Sequence, residues 1–208
     1  MGLYSKNGML NGYSKNHKER QAEDYYATPT IEVENILNTL NYDFSNKSIL
    51  EPCVGGGHMM EGILHYAEDM NNIEYFASDF KNRGYNHENI NFKYNIDFLD
   101  DNYPFNKVDI IIMNPPYSTL EPFLIRALEI AQEKLIVLCR MQVIEGTGRY
   151  KNIFKDNPPS YIYQYIERIQ CWKNGTPPTG SSSQGYCWLV WDKTEQPHEP
   201  ILRWIHRV

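Results

Sequence analysis

Val108-Asp109-Ile110-Ile111-Ile112-Met113-Asn114-Pro115-Pro116-Tyr117 joins an apolar run to a stiff polar corner. The run 108–113 is short, β-branched and almost uninterrupted, which predicts a strand buried on both faces. The corner begins where that strand ends. Two consecutive prolines remove two backbone donors and fix two φ angles, and the residue before each proline is pushed towards extended backbone. Main-chain carbonyls are thereby left to accept hydrogen bonds. Asn114 adds a side-chain carbonyl and Tyr117 a flat aromatic face. Two acceptors beside a stacking surface suit a planar substrate that carries an NH2 group.

Working outward, strands are expected over 47–50, 73–78, 90–96, 108–113 and 135–139. Helices are expected from Thr28-Pro29 to Leu40, over 58–70 and over 120–132, with Thr28 as the cap of the first and Pro29 in its first turn. Alternating strands and helices predict right-handed crossovers and a mostly parallel sheet with helices on both faces. Polar residues recur where these strands end: Glu51, Asp79, Asp97 and Asn114. In open α/β sheets that rim is where ligands bind. Beyond residue 140 the pattern changes. Two β-prone runs, 160–169 and 184–191, flank a long polar loop over 174–183 and predict a C-terminal antiparallel strand pair.

The 208-residue chain is long enough for one domain with a substantial core. Residues 1–22 read as a flexible arm with a basic stretch at 15–20, and 23–208 as one domain, with no internal repeat and no second domain expected. The net charge of −6 is not that of a strongly basic nucleic-acid binder, so any such partner must meet a local basic face. Cys53, Cys139, Cys171 and Cys187 form no Cys-x-x-Cys pair, and the histidines show no metal spacing. Reduced thiols and a cytoplasmic location are expected. There is no apolar leader and no run of membrane-spanning length, so no membrane partner is expected.

Glu51-Pro52-Cys53-Val54-Gly55-Gly56-Gly57 follows the first of these strands and opens a helix. It is neither Gly-x-Gly-x-x-Gly nor a phosphate loop ending in Gly-Lys-Ser/Thr, which disfavours dinucleotides and triphosphates. A glycine turn behind a carboxylate suits a cationic, amino-bearing ligand instead. Glu51 would attract an ammonium or a sulfonium. Asp79 is placed to accept both hydroxyls of a ribose, and Asp97 to accept from an adenine amino group.

Glu-Pro-x-x-Gly-x-Gly, Asp79, Asp97 and Asn-Pro-Pro-Tyr together resemble the class I S-adenosylmethionine-dependent methyltransferases, and more narrowly the DNA adenine-N6 branch. Tyr26-Ala27-Thr28-Pro29 matches that family's Tyr/Phe-x-Thr-Pro element, which helps cover the cofactor's methionine end. The stretches 145–150, 168–173 and 186–193 look like those of short phage and prophage methyltransferases. The resemblance spans about residues 13–208. It implies a Rossmann-like sheet, S-adenosylmethionine as cofactor and DNA as substrate. In that scheme Glu51, Pro52, Cys53, Gly55 and Gly57 hold the methionine part, with Tyr26, Thr28 and Pro29 beside it. Asp79 and Phe80 take the ribose, and Asp97 with Phe98 the adenine. Asn114 and the Pro115 carbonyl accept from the target amino group, Pro116 stiffens the corner, and Tyr117 stacks on the extruded base. Arg140, Arg149, Lys151 and Trp172 lie in or beside the loops left to contact substrate. RNA bases and protein glutamine amides also present a planar NH2. An inactive partner subunit and a nicotinamide oxidoreductase are more distant alternatives, the latter without its glycine fingerprint.

Overall fold

The computed structural model describes residues 25–102, 105–180, 184–195 and 199–207. The expected N-terminal arm lies outside them. Ten strands are described: β1 (Tyr26–Ala27), β2 (Ser48–Glu51), β3 (Glu74–Asp79), β4 (Ile90–Tyr94), β5 (Val108–Met113), β6 (Ala131–Arg140), β7 (Tyr161–Tyr165), β8 (Trp172–Lys173), β9 (Tyr186–Asp192) and β10 (Ile201–Ile205). The three longer helices are α1 (Thr30–Leu40), α2 (His58–Tyr66) and α3 (Leu120–Ile130).

Eight strands form one sheet in the order β10-β7-β9-β6-β5-β2-β3-β4. Only β9 runs against its neighbours, β6 and β7; every other adjacent pair is parallel. The expected antiparallel pair is therefore β7 with β9, and β9 inserts between β7 and the parallel core. β10 adds an outer strand that the sequence reading did not anticipate. A separate two-stranded ribbon pairs β1 with β8, so residues 26–27 meet residues 172–173 across the chain.

The apolar run of β5 is explained by burial on both faces. Ile110 and Ile112 face one core with α1, α2, Trp188 and Val190, whereas Ile111 and Met113 face the other with α3, Leu189 and Trp191. Helices thus cover both faces, as expected. Polar contacts fix the register between β2 and β5: the Ser48 N–H and hydroxyl both donate to Asp109 Oδ2, each at 2.7 Å, and the Asp109 N–H donates back to Ser48 Oγ at 2.9 Å.

One local expectation is corrected. Thr28 does not cap α1; Pro29 precedes the helix with φ −56° and ψ 137°, and no side chain caps it. The Thr28 hydroxyl instead turns towards the end of β5, as described below. At the other end Asn41 closes α1 in the left-handed conformation, its N–H on the Leu37 carbonyl at 2.8 Å.

A buried hydrogen-bond chain ties the late strands to the first helix. Trp188 Nε1–H donates to the Tyr165 hydroxyl at 2.9 Å, and that hydroxyl donates to the Glu32 carbonyl at 3.2 Å. Tyr165→Phe leaves the indole N–H buried without an acceptor. Urea denaturation is expected to show a loss of about 1–3 kcal/mol with an unchanged m-value.

Candidate functional site

The chain passes from β2 through β3 to β4 on one side of the sheet and then returns to place β5 and β6 on the other side of β2. The direction of winding reverses between β2 and β5. Such a switch point opens a crevice at the strand C-termini. Glu51 ends β2 and Asn114 follows β5, so these two residues flank it. Asp79 ends β3 on the same rim.

The cleft there is lined by Tyr26, Thr28, Glu51, Pro52, Cys53, Asp79, Phe80, Asp97, Phe98, Asn114 and Pro116 among the expected residues. Pro29, Gly55, Gly57, Pro115 and Tyr117 sit around it rather than in its lining. Tyr25, His58, Met59, Arg83 and Phe123 also line it, and the sequence reading did not single them out. Among the described residues no cluster of three or more His, Cys, Asp or Glu side chains could hold a metal ion.

Asn114 is the most constrained of these groups. Its Nδ2 donates to the Tyr26 carbonyl at 3.0 Å and to Thr28 Oγ1 at 3.1 Å. Only the NH2 end of an amide can donate to a carbonyl, so β1 fixes which way the side chain points. Oδ1 is left as an acceptor at the cleft. The next residues continue the pattern. The Pro116 carbonyl accepts the Thr119 N–H at 3.1 Å, whereas the Pro115 carbonyl has no donor among the described residues. Tyr117 opens a single tight turn that leads into α3.

The carboxylates behave differently from one another. Glu51 is 2 % exposed, and its Oε2 is buried with no hydrogen-bond partner. Burial lifts its carboxyl well above the usual carboxylate range; Asp79 adds to the rise, while the Met60 N–H opposes it. Asp79 accepts the Gly55 N–H on Oδ2 at 2.7 Å and the Lys81 N–H on Oδ1 at 2.8 Å. Its carboxyl is also raised, chiefly by burial. Asp97 Oδ1 accepts the Leu99 N–H at 3.0 Å, and the adjacent Phe98 packs edge-on against Phe105 at 5.0 Å.

The glycine turn is closely covered by aromatic rings. Gly55 and Gly57 have φ of 57° and 87°, values that side chains rarely adopt. A Cβ on Gly55 would stand 2.2 Å from the Tyr25 ring, and one on Gly57 2.2 Å from the Tyr85 ring. Tyr25 accepts the Gly56 N–H through its hydroxyl at 2.8 Å and reaches His58 Nδ1 at 3.3 Å. The Arg83 guanidinium lies over the same ring at 4.5 Å. The free volume of the cleft is about 50 Å³, and the turn is covered by Tyr85 and, on the side that lines the cleft, by Tyr25. Its place beside Tyr26 was the one available sequence signal for this role.

The four residues expected to meet substrate are not equivalent. Arg140 stacks over the Tyr117 ring at 4.4 Å. Trp172, on β8, stands edge-on to His58 at 5.6 Å. Arg149 donates through Nε to the Val143 carbonyl at 2.7 Å and through a terminal nitrogen to the Glu145 carbonyl. Its guanidinium therefore shapes its own loop. Lys151 is exposed on the short helical turn Tyr150–Phe154.

No protein-family model matches the chain, and no curated protein does. Solved structures do match. The methyltransferase subunit of a type I restriction-modification system from Streptococcus thermophilus superposes with a TM-score of 0.64 at 15 % identity, covering 87 % of this chain and 47 % of that one. A candidate class I S-adenosylmethionine-dependent methyltransferase from Listeria monocytogenes gives 0.63 at 15 % identity over 95 % of this chain and 68 % of that one. A candidate RNA methyltransferase from Pyrococcus horikoshii gives 0.57 at 16 % identity, covering 82 % and 88 %. The chain spans about half the length of the restriction-modification subunit it matches. At these identities the likeness shows a shared Rossmann-like α/β fold.

The Glu51 carboxyl yields a test independent of any reaction. A carboxyl raised by burial favours the fold while it is protonated, and that contribution is lost as pH rises from the usual carboxylate range through its folded value. Glu51→Gln is therefore expected to raise the midpoint of thermal unfolding at pH 8 by a few degrees, about 1 kcal/mol. The gain should shrink towards pH 4, where the acid is neutral. Calorimetric melts of both proteins across that range check it.

Proposed function

We propose that this chain transfers a methyl group from S-adenosylmethionine to the exocyclic amino group of adenine in DNA. The observation that carries this reading is the Asn114 amide: its NH2 is held by Tyr26 and Thr28, so its carbonyl is presented to the cleft. Beside it, the Pro115 carbonyl is a second acceptor without a donor among the described residues.

The residues of the cleft suit that cofactor. Glu51 has a buried oxygen without a partner, which an ammonium satisfies. Asp79 keeps lone pairs beyond its two backbone contacts for ribose hydroxyls. Asp97 lines the same cleft and would accept from an adenine amino group, with Phe98 beside it. When bound, the cofactor supplies an electrophilic methyl group on a sulfonium.

This chain's own contribution is then positioning. An aryl amine is a weak nucleophile because its lone pair is delocalised into the ring. Asn114 Oδ1 and the Pro115 carbonyl accept its two N–H groups, favour pyramidal nitrogen and aim the lone pair at the methyl. Tyr117 holds the ring by stacking. Orientation and exclusion of water supply most of the acceleration. The amino proton leaves to solvent after transfer, so no general base is needed. Support for DNA comes from the Asn-Pro-Pro-Tyr corner and from the fold shared with the restriction-modification subunit. An RNA amino group is the second reading, favoured by the likeness to the Pyrococcus horikoshii protein.

The test uses purified protein, unmethylated plasmid, tRNA and methyl-tritiated cofactor, with digestion to nucleosides. Label is expected in N6-methyladenine from the plasmid. Asn114→Ala is expected to abolish it, by at least a hundredfold, while cofactor binding persists. Thr28→Val removes one of the acceptors that orient Asn114 and is expected to lower kcat about tenfold with little change in KM. Label in tRNA alone would replace DNA with RNA, and label in neither would remove the reading.

A further inference from the structure

One face of the Tyr117 ring is already taken. Arg140 ends β6, which runs beside β5 with Met113 opposite Val137. Its side chain therefore stands at the rim next to the Asn114–Tyr117 corner, with the guanidinium 4.4 Å from the Tyr117 centroid. A base stacking on Tyr117 is confined to the opposite face.

Two features show that Arg140 is more than a packing partner. Among the described residues no carboxylate pairs with it. Its Nε is buried without a hydrogen-bond partner, and the neighbouring Tyr117 hydroxyl lies within reach of that of Tyr186. Native folds rarely leave such donors open. Here the open donor belongs to a cation that stands beside the Asn114–Tyr117 corner. Among the described residues the groups around the guanidinium are the phenols of Tyr117, Tyr26 and Tyr186, the last within hydrogen-bond reach, and none is a carboxylate. The ligand that matches this guanidinium is anionic and rich in acceptors. A planar guanidinium fits phosphate oxygens through two parallel N–H bonds.

We infer that Arg140 forms a subsite for a phosphodiester flanking the base held at Asn114. The substrate is then a nucleotide within a polynucleotide, rather than a free nucleoside or a protein amide. This inference rests on the reading of Asn114 as an amino-methylating centre. In it the Tyr117 ring carries Arg140 on one face and orients the base with the other, while the guanidinium meets the neighbouring phosphate.

The experiment begins with the adenine that the enzyme methylates in plasmid DNA. Duplex oligonucleotides carry that adenine with natural linkages, or with a neutral methylphosphonate on its 5′ or its 3′ side. Full-length wild type, Arg140→Gln and Arg140→Lys are compared. For wild type, one of the two methylphosphonates is expected to raise KM about tenfold with kcat nearly unchanged. Arg140→Gln should show the raised KM on natural DNA and no further response to that linkage, with Arg140→Lys between. The slope of log affinity against log salt should fall by about one in Arg140→Gln. Wild type that tolerates both neutral linkages overturns the subsite, as does an Arg140→Gln protein that keeps the full linkage effect. The wild-type series stands alone if the variants do not fold. Failure of wild type to methylate the unmodified duplex removes the amino-methylation reading itself, and the subsite with it.

Discussion

The rim of this sheet is organised around one side-chain amide. Asn114 cannot both donate to β1 and offer its NH2 to a ligand. By giving both hydrogens to Tyr26 and Thr28 it becomes an acceptor facing the cleft. That bond also explains the short β1–β8 ribbon. The ribbon contributes little apolar surface, yet it brings the Tyr26 carbonyl to the end of β5 and holds Trp172 near the glycine turn. The prolines after Asn114 keep the corner from relaxing into helix before the turn at Tyr117. A local constraint in the chain and a long-range contact thus fix the same few atoms.

The same rim carries a cost. Glu51 is buried with one oxygen unpartnered, and Asp79 lies close enough to raise its carboxyl further. A sequence selected for stability alone would not place two carboxyls there. Sites that await a charged ligand are where such strain is kept. The glycine turn repeats the pattern, because Tyr25 and Tyr85 pack where side chains on Gly55 and Gly57 would stand.

Much of this was legible from local pattern. β5 was readable to the residue because a strand buried on both faces has to be apolar throughout. The acidic residues at the ends of β2 and β3 followed from where those runs stop. Long-range features were not readable. Nothing near Thr28 distinguishes a helix cap from a partner for Asn114, 86 residues away. Residues 26–27 and 172–173 are too few to show strand periodicity. β10 escaped because an outer strand exposed on both faces has no apolar alternation to reveal it: Leu202 and Trp204 are exposed although both are apolar. Arg149 looked like a nucleic-acid contact by composition, but the backbone carbonyls of its own loop hold its guanidinium.

The central claim is that the rim at Glu51 and Asp79 is a cofactor site. Titration calorimetry of the full chain with S-adenosylmethionine tests it without any substrate. The account predicts one site with micromolar affinity, at least tenfold weaker in Asp79→Ala, and tighter binding as pH rises because Glu51 must be ionised to hold the ammonium. A folded protein that takes up no S-adenosylmethionine, or binds it equally well without the Asp79 carboxylate, would contradict it.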